Sequence, residues 1–135
     1  MRLVLDTNVI VSGAMTAHGP CGQILNLVAD GIIEICVDDR LLAEYESVLR
    51  RSELRITPTD ATLVLDMIRY GAHRVVPLPV RAALPDPDDI PFLEVAAAAE
   101  ALLVTGNMRH FPARARGAVK VVTPRELLDI LRYSP

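Results

Sequence analysis

The order of apolar segments along the chain is the feature that most limits its fold. Five short apolar runs, typical of buried strands, alternate with segments whose apolar residues recur at helical spacing. Such alternation predicts an α/β protein in which helices cover a parallel sheet. The predicted strands are residues 3–5, 32–37, 74–78, 102–104 and 119–122, and the predicted helices are residues 21–30, 40–51, 59–70, 92–100 and 124–131.

Length and composition favour one globular domain. A chain of 135 residues, 51% hydrophobic and 23% charged, can bury a core, so we expect a single domain over residues 1–135. The chain starts unlike a signal peptide and has no apolar run that could cross a bilayer, so we expect a cytoplasmic protein without a membrane partner. Cys21 and Cys36 fit no disulfide framework and are expected to be reduced thiols. A net charge of −3 argues against a protein that coats nucleic acid, although it allows a local basic patch.

Small polar residues follow the first and the fourth predicted strands. "LVLDTNV" places Asp6, Thr7 and Asn8 after one strand, and "LLVTGN" places Thr105 and Asn107 after the other. Because ligands of parallel sheets bind outside the carboxyl ends of the strands, we expect these side chains to share one site. Asp6 also has a simpler interpretation, since Asp is a favoured residue at a helix N-cap.

A cluster of acids precedes the fourth predicted helix. "PDPDDIPF" packs Asp86, Asp88 and Asp89 into four residues, which is more carboxylates than helix capping requires. Pro91 disfavours helical geometry at Ile90, so we expect the helix to begin at Pro91 and Asp89 to lie just outside it. Capping is therefore a weaker explanation for Asp89.

A third acid lies on the second predicted helix. In "LLAEYESVLRR", Glu44 falls at the margin of the apolar face, from which it faces either a cleft or solvent. Asp6, Glu44 and Asp89 come from three separate segments and suit a hard cation such as Mg²⁺ or Mn²⁺, which takes oxygen ligands. Because such a cation activates water and neutralises charge on a phosphodiester, the acids point to nuclease chemistry.

Other chemistries are less well supported. The three histidines lie far apart and neither cysteine has a metal-ligand spacing, so zinc is disfavoured. The chain has no glycine-rich phosphate loop and no nucleophile elbow. A phosphatase with a response-regulator-like sheet would need a pair of acids after the first strand, where this chain has "LDTN".

Four blocks of the sequence, taken together, resemble the PIN-domain family. They are "LVLDTNVIVSGA", "LLAEYESVLRR", "LPDPDDIPFLEVAAAAEALLVTGN" and "HFP", and they occur in family order between residues 2 and 112. The resemblance is specifically to the VapC-like toxins of toxin–antitoxin pairs. It implies a three-layer α/β/α sandwich with a mainly parallel sheet of four to five strands, and a ribonuclease that depends on Mg²⁺ or Mn²⁺.

The resemblance also implies roles for individual residues. The three catalytic acids, which also bind the metal, would be Asp6, Glu44 and Asp89, with Asp86 as the alternative in "DPDD". Supporting polar residues would be Thr7, Asn8, Thr105 and Asn107. Many members of the family carry a fourth Asp after "VTG", whereas this chain has Asn107, so a second metal site would be weaker or missing.

The expected partners are an RNA substrate, a small cognate antitoxin protein and a second copy of the chain. The candidates for RNA binding follow the fourth block and are Arg109, His110, Arg114 and Arg116. The alternative function is a binding module for RNA or protein that keeps the PIN fold but has weak or no catalytic activity. Asn107 is the residue that favours this alternative.

Overall fold

A computed structural model describes residues 1–133 and contains a five-stranded parallel sheet. The strands are β1 (Arg2–Leu5), β2 (Glu34–Val37), β3 (His73–Arg74), β4 (Leu102–Val104) and β5 (Val121–Val122). Their order in the sheet is β3-β2-β1-β4-β5, and each neighbouring pair is parallel. The predicted α/β class and the strand number are confirmed.

The same described residues form six α-helices, which pack on the sheet or on one another. They are α1 (Thr7–Met15), α2 (Pro20–Ala29), α3 (Asp39–Leu49), α4 (Pro58–Gly71), α5 (Ile90–Ala99) and α6 (Pro124–Tyr133). Helix α5 packs across β1, β2 and β4, whereas α1 to α4 pack mainly against one another and α6 packs against α2. Within the described residues, no helix is both long enough and apolar enough to span a membrane.

Polar caps explain where several helices begin. The hydroxyl of Thr57 accepts a hydrogen bond from the Asp60 amide at the start of α4, as its position before Pro58 predicts. Thr123 and Glu126 form a reciprocal capping box at the start of α6, in which each side chain accepts from the other residue's amide.

Helix α1 was missed by the sequence prediction. Its β-branched run "VIV" is unfavourable for an isolated helix, but Val9 and Ile10 are fully buried when the segment packs against α2. Gly13 allows this approach, because a Cβ atom there would lie 2.6 Å from Leu25 Cδ1 and 2.9 Å from the Cys21 carbonyl. Tertiary packing therefore outweighs local propensity in this segment.

Several predicted boundaries are wrong by a few residues, and in two of them proline is involved. Helix α5 begins at Ile90, which has helical geometry (φ −55°, ψ −41°), so Pro91 lies inside the first turn. A proline fits there because the first amides of a helix have no partner within the helix. Strand β3 ends at Arg74 instead of residue 78, since Pro77 and Pro79 have no N–H with which to continue the ladder.

A buried tyrosine fixes helix α3 against the first strand. The side chain of Tyr45 is fully buried, and its hydroxyl donates a hydrogen bond of 2.5 Å to the carbonyl of Leu5. Burial, together with the nearby negative charge of Asp6, raises the pKa of this phenol well above its ordinary value. The tyrosine therefore stays a neutral donor and holds α3 beside the end of β1.

Candidate active site

The polar residues that follow β1 and β4 meet at the carboxyl edge of the sheet. The two strands are paired neighbours, so Asp6 and Thr105 occupy adjacent positions at this edge. The Thr105 hydroxyl donates to Asp6 Oδ2 at 2.8 Å, and the Gly106 amide donates to Asn8 Oδ1 at 3.1 Å. The juxtaposition expected from the sequence is therefore found.

Asp6 is a helix cap and a member of this cluster at once. Its side chain is 5% exposed, and its Oδ1 atom accepts from the Thr7 amide at the start of α1. Its Oδ2 atom accepts from Thr105 and, at 3.3 Å, from Asn8 Nδ2. Burial raises the pKa of this carboxyl, and the hydrogen bonds from Thr105 and Thr7 partly oppose the rise. The two interpretations of Asp6 are thus compatible.

Asp89 is a buried carboxylate whose hydrogen-bonding capacity is not filled. It is 8% exposed, and although it occupies the N-cap position of α5, its side chain caps no amide there. Its Oδ2 atom lies 2.9 Å from His110 Nδ1, but among the described residues this atom has no hydrogen bond of acceptable geometry. Burial and the negative charge of Asp6 raise the pKa of Asp89 to about 6, although the nearby His110 opposes the rise.

Glu44 lies beside this pair on the exposed flank of α3. Its Oε2 atom accepts a hydrogen bond of 2.8 Å from the Thr7 hydroxyl, so Thr7 links it to the segment that carries Asp6. Its negative charge contributes to the raised pKa of Asp6. Glu44 also lines a cavity of about 280 Å³ together with Asp88 and Pro91. The structure therefore places it at a cleft, as one of its two sequence interpretations required.

The remaining acidic and amide candidates are less central. Asp86 is exposed, and its Oδ1 atom accepts from the Asp88 amide in the turn before α5. Because this cap uses Asp86, Asp89 is the better candidate for the third acid. Asn107 is half-buried, and its backbone amide donates to the Thr105 hydroxyl at 3.0 Å.

The four proposed RNA-binding residues are placed differently from one another. Arg109 and Arg114 are exposed, whereas the half-buried Arg116 donates from Nε to the carbonyl of Phe111 at 2.7 Å. His110 belongs with the acids because of its contact with Asp89.

Sequence reasoning missed an ion-pair network next to this site. Arg40 Nη1 lies 2.7 Å from Glu94 Oε1, and Arg40 Nη2 lies 2.7 Å from Asp38 Oδ2, so the pairs connect α3 to α5. Glu94 is buried and also accepts from the Val80 amide. A signal was present, because Glu94 is an acid within the apolar run "FLEVAAAA", and a buried acid needs a partner.

The donor set fits a cation held by two carboxylates. Among residues 1–133, no group of three His, Cys, Asp or Glu side chains is placed to hold a metal ion. Mg²⁺, however, commonly binds one or two carboxylates and completes its coordination with water and substrate phosphate. Asp6 and Asp89 provide two such carboxylates, and the Oδ2 atom of Asp89 has no hydrogen bond, although His110 Nδ1 lies 2.9 Å from it and would have to move for a cation to bind there.

We expect the variant Asp89→Asn to stabilise the metal-free protein at neutral pH. The pKa of Asp89 is about 6 in the folded protein, against an ordinary value of 3.8, so the folded state binds more protons between these values. The free energy of unfolding therefore falls as the pH rises from about 4 to about 6. An Asn side chain does not titrate, so the variant Asp89→Asn avoids this fall. The gain at pH 7 should be about 1–2 kcal/mol, measured by urea unfolding in chelator. The exposed neighbour provides the control Asp88→Asn, and equal stability of both variants at pH 4 and pH 7 would contradict the expectation.

Comparison with known proteins identifies one family and several solved structures of similar fold. The sequence profile of the PIN domain matches residues 2–109. No curated protein sequence matches the chain. A structural match is a chain from the crystal structure of VapBC2 from Rickettsia felis bound to a DNA fragment from their promoter, with a TM-score of 0.59 and 18% identity. The alignment covers 91% of this chain and 98% of that one.

Proposed function

The chain belongs to the PIN domain family, and on that premise we propose that it is a metal-dependent endoribonuclease that acts as the toxin of a toxin–antitoxin pair. The observation that carries the proposal is the pair of buried carboxylates, Asp6 and Asp89, one of which has an oxygen without a hydrogen bond. The pKa of Asp89 is raised mainly by burial and further by the negative charge of Asp6, so the two carboxylates repel each other. A bound cation would remove that repulsion.

In the proposed site, Asp6 and Asp89 bind the metal, with Mg²⁺ or Mn²⁺ as the candidates. When bound, the metal lowers the pKa of a coordinated water and neutralises charge that develops on the scissile phosphate. Thr105 and Asn8 hold the carboxylate of Asp6 in one orientation through their hydrogen bonds. Glu44, whose carboxylate accepts from the Thr7 hydroxyl, is the third catalytic acid and would accept a proton from the attacking water or help to hold the metal.

Positive side chains around the site provide the contacts for RNA. Arg109 is exposed and directly precedes His110, the candidate that contacts Asp89. Arg114 is also exposed and follows in the same connection between β4 and β5. Arginine at these positions would bind phosphate without selecting a base sequence.

The toxin assignment is supported by the fold that the chain shares with the VapBC2 chain. A toxic nuclease needs an inhibitor in its own cell, and a basic side chain of an antitoxin would pair well with the clustered acids. We propose a small protein with a basic segment as this partner, and a homodimer as the working form of the chain.

One observation favours the alternative of a weak or inactive binding module. Asn107, a neutral amide, follows the strand β4 at the edge where the acids gather. An amide oxygen can bind a cation but supplies no charge, so the metal would be held less tightly.

Incubation of the wild-type chain with mixed single-stranded RNA and millimolar Mn²⁺ or Mg²⁺ tests the proposal. We expect cleavage that stops in chelator, and cleavage that falls at least about tenfold in Glu44→Gln because the acid beside Asp6 loses its charge. Glu53→Gln removes an equal charge from an exposed residue outside the site and should cleave normally. RNA binding without cleavage at any metal concentration would instead support the binding module.

A further inference from the structure

A second cavity in the described part of the chain lies at the opposite edge of the sheet from the acids. This groove, of about 810 Å³, is bordered by the beginnings of β1 and β4, the end of α5 and the residues before β5. Its floor is mostly aliphatic and includes Leu93, Ala96, Leu102 and Val119. A concave apolar floor of this size can accommodate part of a ligand.

The rim of the groove is positively charged. Four basic residues line it, namely Arg2, Arg81, Arg116 and Lys120, although Arg2 is paired with Glu34 at 3.1 Å, and Glu100 is the one acid in the lining among residues 1–133. Arg81 and Lys120 are exposed and have no ion-pair partner among the described residues. This excess of positive charge stands out in a chain whose net charge is −3, and it fits an anionic ligand.

A basic segment connects the groove to the acidic site. Residues 101–125 contain five Arg or Lys and no Asp or Glu. The segment leaves β4 at the carboxyl edge, beside the acids, and enters β5 at the amino edge, beside the groove, because the two strands are parallel. Along the buried strand β1, the Cα atoms of Asp6 and Arg2 are separated by about 13 Å, so an RNA on the surface must span at least this distance between the acids and the groove.

We infer that the groove binds the part of a single-stranded RNA that extends beyond the cleavage site. Phosphates of the RNA contact Arg81, Lys120 and Arg116, and base faces lie on the aliphatic floor. The inference rests on the proposed function, because the RNA must enter from the acidic site. An acidic protein could also bind the positively charged rim. A protein bound only at the rim would not need the positive charge that begins beside the acids and continues to the groove, whereas an RNA that occupies both sites would.

Binding of labelled RNA to a double variant, Arg81→Ala with Lys120→Ala, tests the inference. Both the double variant and its reference carry Asp6→Asn to prevent cleavage, and the probes are mixed-sequence oligonucleotides of about three and about eight nucleotides. In the reference, affinity should rise with length. In the double variant, affinity for the longer RNA should fall about tenfold, and the slope of log affinity against log salt should decrease by about 1.4, or about 0.7 for each lost phosphate contact.

The matched control is Arg51→Ala with Arg55→Ala, which removes the same charge from exposed residues that do not line the groove. Equal losses in both double variants would indicate a general charge effect and overturn the inference. Unchanged RNA affinity together with weaker binding of an acidic partner protein would make the groove a protein-docking site and also overturn it. Wild-type protein that cleaves no RNA would defeat the proposed function, whatever the groove variants bind.

Discussion

The variant Asp6→Asn should lose RNA cleavage by more than about a hundredfold while it keeps its fold, because it removes a charged metal ligand from the centre of the site. The amide oxygen of Asn can still accept from the Thr7 amide, so α1 keeps its cap. The amide nitrogen then faces Thr105 and Asn8 in place of Oδ2, and the Thr105 hydroxyl can rotate to accept from it. The variant also loses a buried charge, and the stability gained from this loss offsets part of the stability lost through weaker hydrogen bonds.

Two measurements separate this prediction from simple unfolding. Thermal melts should show that millimolar Mn²⁺ raises the Tm of the wild-type chain and changes that of Asp6→Asn much less, since a ligand stabilises only the state that binds it. The control Asp30→Asn removes a carboxylate from the exposed end of α2 and should retain both cleavage and the metal-dependent rise in Tm. If Asp6→Asn cleaved RNA as fast as Asp30→Asn, Asp6 would be only a helix cap.

The largest loss of stability is expected from Glu94→Ala, at about 2–3 kcal/mol. The change leaves the Val80 amide without its acceptor and removes the tie between α5 and Arg40 on α3. The loss falls below that of a fully buried ion pair, because the Arg40 side chain is 48% exposed and keeps its contact with Asp38. Urea unfolding at neutral pH measures the effect.

Variants of the partner residues identify the cause of the loss. Arg40→Met leaves the buried carboxylate of Glu94 without its cation and should also destabilise the protein, because an unpaired buried charge is costly. Glu34→Ala breaks the half-exposed pair with Arg2 and should cost less than about 0.5 kcal/mol. A similarly small cost for Glu94→Ala would show that the network does not hold α3 and α5 together.

Both predictions depend on contacts that the sequence predicted to different extents. The position of Asp6 at a strand end was predictable, because apolar runs mark parallel strands and polar residues at their carboxyl ends face a shared edge. The pairing of Asp38, Arg40 and Glu94 was not predictable, because it joins residues up to 54 positions apart through helix packing.

The sequence by itself determined the α/β class and the approximate positions of five strands, and it singled out the three acids as candidates. Hydrophobic periodicity and turn residues are local signals, and they act over the few residues that each element contains. Only the tertiary structure decided that "VIVSG" is a helix, that Asp89 keeps an oxygen without a hydrogen bond, and that a basic groove lies across the sheet from the acids. These features depend on burial and on charges brought together from distant segments, and such energies are set by packing in three dimensions.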